Sequence, residues 1–430
     1  MLAVGSVFLV LLVIGAPIAF AIGLAGFVFF VNSDVMPLTI GVQKIASVSQ
    51  SFPLLAVPFF VFAGHLMNES GITDRLFKFA NVTVSWMAGG LAQVSIIMST
   101  LMGGVSGSAV ADAAMEARVL GPSMIANGYS KGYTAAVIAL SSLITATIPP
   151  SIGLILYGYV GDVSIGRLFM AGIVPGLVLA LMFMAYVMLV SKFSKTYRPD
   201  AEPVTRFVDK VRNSLYLIPV LVLIFFVIGS MYGGWATATE AAAIGVVGAL
   251  ILAAVQGSLN LSTFIDSLMG AMRTSAMIAL ILAGASFLSL SMGFTGLPRD
   301  LAEWIGSLGL SKFQLLMALL VFYIVIGCFL DGISSVVLTI AVVEPMVRQA
   351  GIDIIWFGIF IVVVVEMAQI TPPIGFNLFV MQGMTGHEMN FIARAAFPMF
   401  LIMVVMVFVL IAFPELATWL PANIRQTAGG

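Results

Sequence analysis

The chain has 430 residues, of which 61% are hydrophobic and only 9% charged, and its mean hydropathy is +1.15. A soluble domain carries about a quarter charged residues, so this composition excludes a soluble globular protein and points to a polytopic membrane protein with room for about ten crossings at about 20 residues each. A net charge of −1 leaves no basic footprint for nucleic acid, and a single cysteine, Cys328, with two histidines, His65 and His387, excludes an internal disulfide and a Cys/His zinc site.

In chain order, Met1 to Val31 lacks the basic leader and small-residue cleavage site of a signal peptide and is expected to be structural. Apolar segments are expected at about 2–14, 17–31 and 53–67, and an amphipathic stretch near 70–86. A long apolar segment follows, broken at 103–108, and then two more near 132–158 and 166–191. The long polar interruption, 191–214, holds Lys192, Lys195, Arg198, Arg206, Lys210 and Arg212 and is expected in the cytoplasm. Beyond it the series resumes at about 215–232, 236–257, 275–293, 297–308, 312–349, 354–382 and 391–413.

The second series repeats the first. Ala16-Pro-Ile-Ala-Phe-Ala-Ile-Gly-Leu-Ala-Gly26 matches Ala238-Thr-Glu-Ala-Ala-Ala-Ile-Gly-Val-Val-Gly248 at six of eleven positions. Gly71 to Leu76 matches Gly296 to Leu301 at an offset of 225, where Gly107 also falls on Gly332. Pro122, Gly128, Pro149 and Pro150 fall on Pro345, Gly351, Pro372 and Pro373 at 223. The reading is repeat 1 over 1–190, a cytoplasmic linker over 191–213 and repeat 2 over 214–430. If each broken apolar segment enters and leaves on one side as a re-entrant hairpin, each half crosses five times, and an odd number inverts the second half. With 191–214 inside, both termini lie outside; Arg75, Lys78, Arg118, Lys131, Arg273, Arg394 and the six linker cations then lie inside, twelve against six outside, in line with the positive-inside rule.

Chemistry belongs where the backbone leaves the helix at membrane depth, because such backbone persists only inside protein or along a cavity. Four places qualify: the turns Gly103-Gly-Val-Ser-Gly-Ser-Ala109 and Leu330-Asp-Gly-Ile-Ser-Ser335, and the breaks Thr147-Ile-Pro-Pro-Ser-Ile-Gly153 and Gln369-Ile-Thr-Pro-Pro-Ile-Gly375. Paired prolines break a helix and free upstream carbonyls. Freed carbonyls with Ser and Thr oxygens suit a hard monovalent cation such as Na⁺, and helix N-termini after the break attract a carboxylate.

These residues also carry a resemblance. Pro58-Phe-Phe-Val-Phe-Ala-Gly64 followed by Gly71-Ile72, then Gly103-Gly-Val-Ser-Gly-Ser108, Gly128-Tyr129, Ile148-Pro-Pro-Ser-Ile152 and Asp331-Gly332 together resemble the large membrane (DctM-type) subunit of TRAP transporters, along essentially the whole chain. The resemblance implies an all-α polytopic membrane protein of the inverted-repeat, elevator type, with two re-entrant helical hairpins and two Pro-Pro-broken helices. It implies a Na⁺-coupled importer of a small organic acid in the bacterial inner membrane, and not an enzyme. Two partners are implied: a small membrane subunit (DctQ-type), expected as a separate chain, and a periplasmic substrate-binding protein (DctP-type). Carried onto this chain, it implies one Na⁺ site at Gly104, Ser106 and Ser108 with Thr147 and Pro150, and a second at Gly332, Ser334 and Ser335 with Thr371. The substrate is expected between them, near Ser108, Ser151 and Asp331.

Other polar residues carry weaker signals. Glu240 is expected as a helix N-terminal acid, and Glu366, just before the Thr371 break, as a proton or ion group or a hydrogen-bonded buried acid. His65 and His387 are expected at segment ends, and Trp86 and Trp304 on interfacial arms. Gly104-Val-Ser-Gly107 matches the short GxSG pattern of intramembrane serine proteases, but such an enzyme needs a base beside Ser106. The matching turn at 332 lacks the pattern, and transport is the reading kept. A nearer alternative is a dicarboxylate/Na⁺ symporter that needs no binding protein. No G-x-x-x-x-G-K-[ST] loop is present, which removes nucleotide hydrolysis as a power source.

Overall fold

The computed structural model describes residues 6–8, 10–11, 14–31, 37–84, 86–104, 106–193, 218–294, 296–372 and 375–423. Helices and turns make up these residues, with no strand among them. The linker expected at 191–213 lies outside the described residues from 194 onward, as do Pro373 of the second break and Arg425.

The first half contains α1 (Ile18–Val31), α2 (Leu38–Ser49), α3 (Ala56–Glu69), α4 (Ile72–Val84), α5 (Gly90–Gly103), α6 (Ala109–Val119), α7 (Gly121–Ala126), α8 (Lys131–Ser141), α9 (Leu143–Thr147), α10 (Ile152–Val160) and α11 (Ile165–Phe193). The second contains α12 (Ile218–Tyr232), α13 (Ala238–Val255), α14 (Leu261–Phe294), α15 (Leu297–Ser307), α16 (Lys312–Gly327), α17 (Gly332–Gln349), α18 (Ile354–Ala368), α19 (Phe376–Thr385), α20 (Met389–Ala412) and α21 (Glu415–Asn423). The same series recurs, down to internal prolines: Pro175 in α11 and Pro398 in α20 stand 223 residues apart. A turn at Ile14 and Gly15 separates α1 from the helical residues before it, so Met1 to Val31 is not one continuous helix.

Two differences from the sequence reading are physical. Leu38–Ser49 is helical although Gln43 and Lys44 dilute its apolar character, and it joins Pro53–Glu69 through a 51° bend; its counterpart in the second half is the single 34-residue helix α14. Proline at 53 accounts for the break in the first half, since it removes a helical donor and clashes with the preceding turn. Among the described residues, five continuous helices (α11, α13, α14, α17 and α20) are long and apolar enough to span a membrane, and the bent pairs 39–69 and 131–160 raise this to seven. The remaining apolar helices, including α5, α12, α16 and α18, are shorter than 18 residues.

The helices sort into two packing groups. In one, α14 lies against α1, α2 and α3, while α13 lies against α3 and α12. Close approach there depends on small residues, as membrane helix packing generally does: a side chain on Gly284 would meet the Ala19 carbonyl at 2.8 Å. The second group contains both turns and both breaks, with α11, α20 and α21 around them. Its packing is reciprocal. The first limb of each broken helix (α9, α18) lies on the first limb of its own half's turn unit (α5, α16), and the second limb (α10, α19) lies on the second limb of the other half's unit (α17, α6).

The amphipathic arms α4 and α15 connect the groups, α4 packing on α5 and α15 on α17. Each follows a left-handed glycine, Gly71 (φ 74°) and Gly296 (φ 70°), a conformation that costs a non-glycine residue about 1 kcal/mol or more. Trp86 and Trp304 are exposed beside them. Glu240 sits in the first turn of α13 and completes a capping box with Thr237, its carboxylate accepting the Thr237 N–H at 2.8 Å. His387 precedes the start of α20, as a segment-end residue should, while His65 lies inside α3 against Gly270 of α14.

Candidate functional site

At the first turn, α5 ends at Gly103 and α6 begins at Ala109, with Ser108 as its N-cap accepting the Ala111 N–H at 3.4 Å. Gly107 has φ 61°, and its carbonyl accepts the Ile152 N–H at 3.2 Å; a Cβ there would lie 2.4 Å from the Pro150 carbonyl oxygen. That contact places the turn directly on the first break. Gly103 likewise abuts Ile148 and Thr145, and Ser106 is buried against Gly64 of α3, so the Pro58 to Gly64 motif is the wall behind the turn.

The first break bends Lys131–Thr147 away from Ile152–Val160 by 43°, with Ile148 extended and a cis bond between Pro149 and Pro150. Ser151 closes it: its hydroxyl donates to the Ala146 carbonyl at 2.5 Å and accepts the Leu154 N–H at 3.2 Å. Thr147 is different. It is 1% exposed, and its hydroxyl oxygen has no hydrogen-bond partner. A buried hydroxyl without a partner costs about 1–3 kcal/mol.

The second turn repeats this with one change of chemistry. Asp331 is the N-cap of α17: one carboxylate oxygen accepts the Ser334 N–H at 3.1 Å and the other accepts the Ser334 hydroxyl. Helix starts put Ala109 opposite Gly332, 223 residues apart, so Ser108 corresponds to Asp331, and the match of Gly107 to Gly332 at 225 is out of register by two residues. Gly332 lies against the second break, where a Cβ would meet Gln369 Nε2 at 2.7 Å and Glu366 Oε1 at 3.3 Å. Cys328 Sγ donates to the Pro372 carbonyl at 3.2 Å, a second tie between turn and break. Ser335 is fully buried with an unpartnered hydroxyl, as Thr147 is, and Glu366 Oε2 is also buried and unpartnered. The Thr371 hydroxyl donates to the Met367 carbonyl at 3.3 Å, and the carbonyls of Gln369 and Thr371 turn toward Gly375, each 3.0 Å from where its Cβ would be.

The structure therefore packs Gly103 and Gly107 of the first turn on Thr145, Ile148, Pro150 and Ile152 of the first break, and Gly332 of the second turn on Val365, Glu366 and Gln369; Gly104 lies against Ile224 of α12 instead, and among the described residues no hydrogen bond joins Ser106 or Ser108 to Thr147 or Ser151, or Thr371 to the second turn. Ser108 and Asp331 are half-buried, while Ser106, Thr147, Ser151, Ser334 and Ser335 are buried. Among the described residues no hydrogen bond joins Asp331 to Ser108 or Ser151, so the three expected substrate residues divide between the two units. No group of three or more His, Cys, Asp or Glu residues suited to a metal occurs among them either. Two further buried acids, Asp112 and Glu116 on α6, were not legible as part of any site: an acid four residues from another on an 11-residue helix reads as a solvated face.

The described residues thus form an all-helical, apolar chain in which each helix break packs on a glycine-containing turn. The chain aligns over 89% of its length with the Alcanivorax borkumensis YdaH transporter, covering 88% of that chain, with a TM-score of 0.59 at 13% identity, which is a likeness of fold. The family model described as "Tripartite ATP-independent periplasmic transporter, DctM component" matches residues 6–416. The chain belongs to this family and is a TRAP transporter large permease. It is 31% identical to the sialic acid TRAP transporter large permease protein SiaM of Vibrio cholerae, over 97% of this chain and 98% of that one. It is also 31% identical to the isethionate TRAP transporter permease protein DctMQ of Oleidesulfovibrio alaskensis, over 95% of this chain and 64% of that longer protein.

Proposed function

We propose that this permease is the carrier of a Na⁺-driven importer of a small organic acid in the bacterial inner membrane. The observation that carries the reading is the pair of turn–break units, each holding one buried, unpartnered hydroxyl, Thr147 in the first and Ser335 in the second. Hydroxyls and freed carbonyls with no thiolate or imidazole among them form a donor set for a hard cation. Na⁺ is the cargo ion assigned to Gly104, Ser106, Ser108, Thr147 and Pro150, and to Gly332, Ser334, Ser335 and Thr371. The half-buried caps Ser108 and Asp331, with Ser151, receive the substrate between the units, where the N-termini of α6, α10 and α17 favour a carboxylate.

The reciprocal packing of turn and break limbs supports an inverted repeat, the two turn units acting as re-entrant hairpins from opposite faces. The second packing group then moves as one body against the first, an elevator movement in which α4 and α15 are the braces. A small membrane subunit and a periplasmic binding protein complete the system; the longer relative with DctMQ in its name supports the first. Both termini lie on the periplasmic side. Reconstituted with its small subunit in proteoliposomes, the permease is expected to take up substrate only when the soluble binding protein delivers it. Uptake by the purified chain alone would favour the self-sufficient symporter instead.

A further inference from the structure

Glu116 lies on α6, the second limb of the first turn unit, with no exposed surface. Its Oε1 accepts the Ser99 hydroxyl at 2.6 Å. Its Oε2 lies 2.5 Å from Ser95 Oγ, Ser95 Oγ lies 2.7 Å from Ser141 Oγ, and the Ser141 hydroxyl lies 2.8 Å from the Val137 carbonyl oxygen. Three successive oxygen–oxygen contacts thus lie at 2.8 Å or less, and each needs one hydrogen; the direct distance from Ser141 Oγ to Glu116 Oε2 is longer, 3.2 Å. Ser95 and Ser141 supply one each, so an ionised Glu116 leaves one contact without a hydrogen. A proton on Oε2 completes the chain: Glu116 donates to Ser95, Ser95 to Ser141, and Ser141 to the Val137 carbonyl.

The charges nearby point the same way. Asp112 is one turn earlier on the same helix and 1% exposed; its Oδ2 accepts the Thr145 hydroxyl at 2.6 Å, and its Oδ1 is buried with no partner. Among the described residues neither acid has an ion-pair partner. The helices packed on α6 are α5, α7, α8, α9 and α19. Of these only α8 carries ionisable groups: Lys131, exposed at its start, and Tyr133, whose ring stacks on Tyr129. On α6 itself the remaining charge is Arg118, which is exposed. Two carboxylates one turn apart with no cation facing them do not both ionise readily.

We propose that Glu116 is a proton-binding site within the body that carries the first turn, its Oε2 holding the hydrogen that completes the chain through Ser95 and Ser141 to the Val137 carbonyl. Loss of that proton breaks the Ser95–Ser141 chain and sets a negative charge one turn from Asp112, on the helix that Ser108 caps. Glutamine at 116 reproduces the protonated form, because its amide nitrogen donates to Ser95 while its oxygen still accepts from Ser99.

Infrared difference spectroscopy on the purified full-length permease tests this without relying on Na⁺ coupling or on uptake. The carbonyl band of a protonated carboxyl group is expected at neutral pH and is lost in Glu116→Gln. In Ser95→Ala, which removes the acceptor but keeps the acid, the same band is expected to move to higher frequency. A spectrum that Glu116→Gln leaves unchanged would show Glu116 to be ionised, and a band lost in Glu116→Gln but unmoved in Ser95→Ala would show that its proton does not go to Ser95; either result overturns the assignment.

Discussion

Ser108 and Asp331 occupy the same position in the two halves, 223 residues apart, each capping the helix that follows its turn. Ser108 takes the Ala111 N–H and Asp331 takes the Ser334 N–H, the matching donor. A hydroxyl cap in the first half thus corresponds to a carboxyl cap in the second, and both are half-buried. Helix capping alone is satisfied by either residue type, so the charge of Asp331 can be tested apart from its cap.

Asp331→Asn separates those roles, since Asn keeps an oxygen for the Ser334 N–H and removes only the charge. Uptake is expected to fall at least about tenfold, more than 1.4 kcal/mol in coupling terms, with the thermal midpoint within a few degrees of wild type. Wild-type uptake with unchanged Na⁺ dependence in this variant would reduce Asp331 to a cap.

Thr147→Val and Ser335→Ala remove hydroxyls that make no protein hydrogen bond. Removing an unsatisfied buried polar atom does not cost stability in the way that breaking a bond does, so the thermal midpoint without Na⁺ should be unchanged or slightly higher. The Na⁺ concentration for half-maximal uptake should rise several-fold in each. A large loss of stability with normal Na⁺ dependence would mark both residues as packing elements.

Orientation is open to cysteine labelling in a Cys328→Ser background, where serine can keep the donor to the Ile324 and Pro372 carbonyls that the thiol now supplies. A cysteine at position 205 should react with a membrane-impermeant reagent only after the cells are opened. Reaction from the periplasm in intact cells contradicts the inverted arrangement.

Much of this was legible in the sequence because breaks and turns are punctuated by residues with strong local consequences. Pro149, Pro150 and Pro372, the Gly-Ser turn at 103–108 and the Asp331 turn all lie where helices end, and the arms near 70–86 and 297–308 follow their glycines. What could not be read depends on partners distant in the chain. Helix α2 was hidden by Gln43 and Lys44, and the first 14 residues of α14 by Asp266 and Arg273, because hydropathy sees a diluted segment while exposure on one face is set by packing. The two-residue error in matching the turns arose because Gly107 and Gly332 look alike; the positions of the caps, not of the glycines, fix the register. Glu116 is identified only by Ser95, Ser99 and Ser141 closing around it, two of them on α5 and one on α8.

The central claim is that the paired turn–break units couple Na⁺ to uptake. Its most direct test is substrate uptake in proteoliposomes containing the permease with its small subunit and binding protein, with and without an inward Na⁺ gradient, at constant pH and membrane potential. Uptake should follow the Na⁺ gradient and fall to background when Na⁺ is replaced by choline. Uptake that continues unchanged without Na⁺ would contradict the account and direct attention to protons at Glu366 and Asp331.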